Sequence, residues 1–350
     1  MIQLETKHHP AAWMRASNLD VKQWTVPFTT GECEQIVAVA RALAAERRPT
    51  DDIEQQMFAG ASGTLHQTLL RAADDVLSGR GFVLFRGFPL AALTHTEAAY
   101  GYAAVGRYFG RLVAQNPQGD VIGKVMDYAK DWKADSTVRG YQTSMHMDFH
   151  SDSCDCVGLL CINPAKSGGL SAIVSSVAIY NHMRAHSPEL LQVLCEPFSY
   201  DRRGEERAGV LPYYETALFH EHDGQMFNRY CREYIESAQR FAAVPRLTPQ
   251  QVAAMDEFDR LCHSDEFIVH MDFRRGDIQF LNNHVVLHSR TAFQDHAEPE
   301  RRRLLWRLYL NHRSDAQRPA CYASRFSDPQ RWALGALGEQ GARQPAATSP

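Results

Sequence analysis

The sequence has no apolar run approaching the roughly 18 residues that a membrane-crossing helix needs. Its first ten residues also lack the apolar stretch of a secretory signal, so a cytoplasmic protein is expected. Excess charge of one sign is missing too. Lys and Arg total 37 against 41 Asp and Glu, a net charge of -4, with a pI near 6.5. No polycationic face for nucleic acid is expected from this balance, and the short Arg301-Arg302-Arg303 cluster does not supply one. Cysteine is sparse, with eight in 350 residues, too few for a disulfide framework. Cys161 and Cys195 sit in apolar runs and read as buried thiols. Internal repeats are absent. What remains is ordinary globular material, 44% hydrophobic and 22% charged.

The chain reads as one domain over residues 1–334, with a helical part over about 1–80 and a loose tail over 335–350 that is small, polar and Pro-containing. Thr29 and Thr30 cap a helix over 31–47, and residues 65–77 and 94–109 carry helical spacing. Residues 81–87 read as a buried strand with glycine at both ends, and 121–126 as another. The polar stretch 127–140 is expected to be a loop able to act as a lid. From residue 144 the pattern turns to β, with strands expected over 144–152, 157–162 and 170–175. Helix follows over 177–194, interrupted near Ser187-Pro188, then a hairpin around Asp223-Gly224. Helices over 232–242 and 248–263 precede strands over 267–273, 278–281 and 304–311. The sum is an α+β protein whose β-rich centre suits a double-sheet jelly roll.

Two stretches carry chemistry. Residues 146–152 contain His146, Asp148, His150 and Asp152, and His288 follows an apolar stretch over a hundred residues downstream. A His-x-Asp pair with a distant His is the pattern of the facial triad that holds Fe(II) with positions left open. Residues two apart on a strand share a face, so His146/Asp148 and His150/Asp152 are equally placed, and spacing does not choose between them. Asn282 and Asn283 could serve as hydrogen-bond donors behind the ligands. A structural zinc site on Cys154, Cys156 and Cys161 lacks the usual Cys-x2-4-Cys spacing. Arg303 and Arg307, four apart in an apolar strand, point the same way, and a buried arginine needs an anion. A dicarboxylic 2-oxo acid would provide one, bound through two parallel hydrogen bonds.

These residues carry a family resemblance. The core Phe149-His150-Ser151-Asp152-Ser153-Cys154-Asp155, the element Pro164…Gly168-Gly169-Leu170-Ser171, and the distal Asn282-Asn283-His284…His288-Ser289-Arg290…Phe293 with Arg303 and Arg307 resemble the taurine dioxygenase / 2,4-dichlorophenoxyacetate dioxygenase (TauD/TfdA-like) family. The resemblance spans about residues 80–312 and implies an Fe(II)- and 2-oxoglutarate-dependent dioxygenase with a double-stranded β-helix core. It selects His150, Asp152 and His288 as iron ligands and catalytic centre, and Arg303 with Ser171 as the holders of the far carboxylate of 2-oxoglutarate. It assigns Arg307 to an anionic substrate. Gln115 and Asn116, following Gly110-Arg111-Leu112-Val113, read as further contacts to a carboxylate or other anion, the alternative being ordinary structural hydrogen bonding. The resemblance implies hydroxylation, or desaturation, of an unactivated C–H in a small organic metabolite, using O2 and releasing succinate and CO2. The rival readings are a metal-dependent cupin-like hydrolase or isomerase and a non-catalytic jelly-roll binding protein. A homo-oligomer is left open. Two departures are visible: many members carry Asn-Arg before the distal His, where this chain has Asn283-His284, and the long loop after the first His-x-Asp is shorter than in the best-known members.

Overall fold

The computed structural model describes residues 4–15, 19–59, 63–116, 119–130, 138–206, 209–314, 317–319, 321–322 and 337. Most of the expected tail, and residues 131–137 of the expected lid, lie outside the described residues. Eleven strands build two main sheets. In chain order they are β1 (Thr25–Pro27), β2 (Phe82–Arg86), β3 (Arg111–Val113), β4 (Ile122–Val125), β5 (Met147–His150), β6 (Cys156–Asn163), β7 (Ser171–Ser175), β8 (Val269–Met271), β9 (Ile278–Asn282), β10 (Val286–Arg290) and β11 (Leu304–Asn311). The larger sheet runs β1-β2-β9-β6-β11-β3, with β4 also paired to β11; the smaller runs β8-β7-β10-β5. In these two sheets, β1 and β2 pair in parallel and the other pairs are antiparallel.

Helices cover the outer faces. Thr30–Ala45 and His95–Gly106 each open with a capping box, Thr29 with Glu32 and Thr94 with Glu97, which satisfies donors the first turn leaves free. With Thr64–Leu77 they pack Ile36, Leu69, Val76 and Ala103 against Phe85, Phe280 and Leu308 of the larger sheet. Phe109 stacks on Phe280 with centroids 3.9 Å apart. The smaller sheet is backed by Ser176–His186, Pro188–Leu194 and Pro249–Cys262. Val177, Leu191 and Phe258 there meet Phe149, Ile173 and Leu287.

Three expectations are corrected. The N-terminal part is not wholly helical, because Thr25–Pro27 pairs with β2. A hairpin of Pro197–Asp201 with Tyr213–Ala217 was not anticipated. His288 does not follow a strand but sits inside β10, which continues to Arg290 because that side chain is buried rather than solvated.

Candidate active site

β10 and β5 place two histidines directly opposite one another, His288 against His150. Their rings lie 4.3 Å apart, centroid to centroid. Asp152 follows β5 and turns inward, its carboxylate 9% exposed. His288 Nε2 stands 3.6 Å from Asp152 Oδ2, and ligand atoms of His150, Asp152 and His288 all lie within 4.8 Å of one another. The pairing shifts register between His288 and Arg290, so that Arg290 faces Met147. This bulge adds a residue on β5 and breaks the alternation. His146 and Asp148 consequently end up exposed while His150 and Asp152 face inward, which is why equal spacing in the sequence does not mean equal position.

Each ligand candidate is oriented by a neighbour. His150 donates Nδ1–H to the Asp148 carbonyl at 2.8 Å, a bond that leaves Nε2 as the lone-pair nitrogen. The Tyr309 hydroxyl donates to Asp152 Oδ1 at 2.7 Å, and Arg307 Nη1 lies 3.6 Å from that oxygen. The Asp152 amide donates to Asn283 Oδ1 at 3.0 Å, and Asn283 Nδ2 donates to the Cys154 carbonyl at 3.0 Å. Asn282 instead caps the following turn, accepting from the His284 amide. Arg229, fully buried, clamps Ser151, between His150 and Asp152, by donating to its carbonyl. Tyr309 and Arg229 carried no signal in the sequence, since one looks like an apolar strand residue and the other lies 78 residues from its partner.

The protonation states suit metal binding. Burial raises the Asp152 pKa, but Arg307, His288, His150 and the Tyr309 hydroxyl outweigh it and hold the carboxyl at about 2. Burial, then His150, pushes His288 down to about 3, against the pull of Asp152. An ionised carboxylate and a neutral imidazole therefore face one point. Asp152 Oδ2 is buried without a hydrogen-bond partner among the described residues, an orphan acceptor that a cation would satisfy. A Fe(II) ion fits this donor set of two nitrogens and one oxygen. Tyr309→Phe is expected to lower iron affinity about 10–100-fold by freeing the carboxylate to rotate, as read by anaerobic Fe(II) titration; unchanged affinity would mean that packing alone orients Asp152.

A second feature lies where β10 ends and β11 begins. Arg303 is buried and stacks over Phe293 at 5.0 Å. Arg290 stacks over the same ring at 4.8 Å. Burial lowers Arg303 to about 10, and burial with the Arg303 charge lowers Arg290 to about 9. Arg303 Nη1 and Arg290 Nη1 have no hydrogen-bond partner among the described residues. Gly169 closes against this pair. Its φ is +68°, and a Cβ there would come 3.1 Å from Arg303 Nε, so a side chain would crowd the guanidinium. Ser171 is buried on β7, directly across from Arg290. Two buried guanidiniums that form no salt bridge among the described residues call for an anion.

Arg307 opens instead onto a cavity of about 340 Å³ that also reaches His150, Asp152, Gln115, Tyr141 and Tyr309. Its Nε donates to Gln115 Oε1 at 2.9 Å, and its guanidinium lies between the rings of Tyr141 and Tyr309 at 4.5 and 4.4 Å. Asn116 is placed elsewhere: its amide donates to Asp120 Oδ2 at 2.7 Å, bracing a turn, and it is not among the cavity-lining residues. Asp155, the last carboxylate of the core motif, is fully buried and accepts from His284 Nε2 at 2.9 Å and from Arg318 Nη2 at 2.7 Å. His284, where many members carry Arg, thus pairs with this buried carboxylate, and Arg318 brings it a guanidinium from downstream.

The family model for the taurine catabolism dioxygenase TauD, TfdA family matches residues 46–309. The chain belongs to the TauD/TfdA dioxygenase family. It is an Fe(II)- and 2-oxoglutarate-dependent oxidoreductase that uses O2. This dioxygenase is 30% identical over 333 residues to FR-33289 synthase of Streptomyces rubellomurinus, covering 94% of this chain and 96% of the relative. It is 28% identical to the taurine hydroxylase-like protein SAT17 of Stachybotrys chartarum, over 65% of this chain and 60% of that one. Its fold matches asparagine oxygenase, solved with Fe(II), 3-hydroxyasparagine and succinate, at a TM-score of 0.65 and 18% identity, covering 85% of this chain and 98% of that one. It also matches the non-heme iron oxygenase OrfP, solved with Fe, succinate and (3S)-hydroxy-L-Arg, at a TM-score of 0.62 and 15% identity, covering 83% and 94%. Among the described residues no helix of this dioxygenase is long and apolar enough to cross a membrane.

Proposed function

We propose that this dioxygenase holds Fe(II) on His150, Asp152 and His288 and hydroxylates an unactivated C–H of a small organic molecule bearing an anionic group. The observation that carries this reading is the convergence of the three ligand atoms within 4.8 Å, in a fold that also buries Arg303 with its Nη1 lacking a partner among the described residues. Bound iron with 2-oxoglutarate would supply the oxygen chemistry: R–H, O2 and 2-oxoglutarate give R–OH, succinate and CO2. Arg303 and Ser171 would take the far carboxylate of the oxo acid, and the adjacent Arg290 charge favours a dianion there. Arg307, held by Gln115, would meet the anionic group of the substrate, and the cavity is sized for one small molecule. Asparagine oxygenase and OrfP, solved with hydroxylated amino acids, support a substrate of that scale.

The two facing sheets, with ligands from the smaller and arginines from the larger, support a jelly-roll core within one domain spanning 1–334. A metal-dependent hydrolase or a non-catalytic binding protein has no use for the Arg303 pocket.

Adding Fe(II) and 2-oxoglutarate without oxygen is expected to give a visible charge-transfer band. Arg303→Ala is expected to raise the 2-oxoglutarate concentration needed about 10–100-fold, the size of a lost charge-assisted pair. A small-molecule screen for coupled succinate release, with His288→Ala as its inactive control, then identifies the substrate. A folded wild-type protein that gives no band sinks the reading.

A further inference from the structure

We propose that His146, Asp148 and His263 form a second divalent transition-metal site, on the outer surface beside the strand that carries His150. The His146-x-Asp148 pair is the motif that the iron site leaves unused. The fold brings His263 to it from 115 residues downstream, and the ligand atoms of the three side chains again lie within 4.8 Å of one another. His146 Nε2 stands 2.9 Å from Asp148 Oδ1, and His263 Nε2 stands 3.6 Å from the same oxygen. Both imidazoles thus turn a ring nitrogen toward one carboxylate, and they are its ion-pairing partners among the described residues.

The surroundings favour a cation. His263 is the C-cap of the helix Pro249–Cys262, the end where the peptide dipoles sum to a partial negative charge. Asp259, one turn earlier, is close enough for its carboxyl pKa to be raised in part by the Asp148 charge, behind the larger effect of burial. The nearby Arg232 is engaged by Glu236, Asp256 and Asp259. The buried Phe149 ring meets the His263 ring edge-on at 5.2 Å and restrains it. One ligand is therefore set by a helix end, one by β5 and one by the residue just before it, so part of the ordering cost is met by the fold itself.

Two imidazoles and one carboxylate select zinc-like ions over magnesium or calcium, which prefer oxygen. All three side chains are exposed, so water completes the coordination sphere and no buried reaction chamber is formed. The site acts as a clasp between the strand and the helix end. Its position gives it a route to the iron centre, because the Asp148 carbonyl accepts the Nδ1–H of His150 at 2.8 Å. An ion on the Asp148 side chain holds that carbonyl, and with it the His150 ring.

Titrating the metal-free full-length protein with Zn2+ by calorimetry tests this. The wild type is expected to bind two equivalents, His263→Ala one, and Asp148→Ala one. The His263→Ala protein is also expected to keep the Fe(II)/2-oxoglutarate absorption band, since it leaves the inner triad intact. The inner triad is checked separately by His288→Ala, which is expected to lose one equivalent while keeping the outer site. The proposal is overturned if His263→Ala and Asp148→Ala bind as much zinc as the wild type, or if the wild type binds a single equivalent that His288→Ala removes. A His288→Ala protein that loses none would sink the inner ligand set and leave the outer site standing.

Discussion

Asp152→Asn is expected to reduce succinate formation to background while the protein stays folded. Asparagine keeps the size of the side chain but loses the charge that holds the site together. Asp152 Oδ1 now accepts from the Tyr309 hydroxyl at 2.7 Å and faces Arg307 at 3.6 Å. Asn has one oxygen and one NH2, so if the oxygen stays with Tyr309 the NH2 points at the metal position. If it flips, the NH2 meets Arg307, donor against donor, and Tyr309 has to turn its hydroxyl from donor to acceptor. Either way iron loses an anionic ligand, and the loss should exceed the about 10–100-fold of an outer partner such as Tyr309. Asp152→Ala is expected to behave the same way, and succinate release with anaerobic Fe(II) binding reads both. Succinate formed at the normal rate would show that the carboxylate is not a ligand.

Asp155→Ala is expected to destabilise the fold by about 3–5 kcal/mol, the size seen when one partner of a buried ion pair is removed. Asp155 is fully buried and accepts from His284, from Arg318 Nε and Nη2, and from the backbone amides of His312 and Arg313. Burial alone would raise its pKa, but His284 and Arg318 hold it well below the ordinary carboxylate range. Truncation strips all these donors of their acceptor at once. Urea denaturation measures the loss, and Asp155→Asn, which keeps an acceptor, should lose less. The effect should reach the iron site too. The Asn283 amide donates to the Asp155 carbonyl at 2.9 Å, and Asn283 Oδ1 holds the Asp152 amide. A stability change below about 1 kcal/mol would show that the surrounding loops close over the gap.

Much of this was legible in the residues. Thr29 with Glu32 and Thr94 with Glu97 announce helix starts through local chemistry alone, and the apolar alternation of 304–311 marks β11 to the residue. Arg307 on that strand and Arg303 just before it are both buried, as their apolar neighbours suggested. What was not legible depends on contacts distant in sequence. The two His-x-Asp pairs have equal parity, and the bulge against β10 that separates them has no local signature. The strand at His288 looked finished because Ser289 and Arg290 are polar, yet Arg290 is buried, donating to the carbonyls of Thr143 and Met145. Asn116 looked like a cavity residue because it follows Gln115, but the chain turns there toward Asp120. His263 closes the C-terminus of a helix whose own pattern says nothing of strand β5.

Strand β5 is an edge of the smaller sheet, with β10 as its one neighbour among the described residues. An open edge is a template for another chain to add a strand. The inner triad straddles this one ladder, and the outer cluster ties the same strand to a helix end. With metal on both clusters, strong chelators would loosen two attachments of this edge strand, and self-association during purification would become a matter of metal content as much as of concentration.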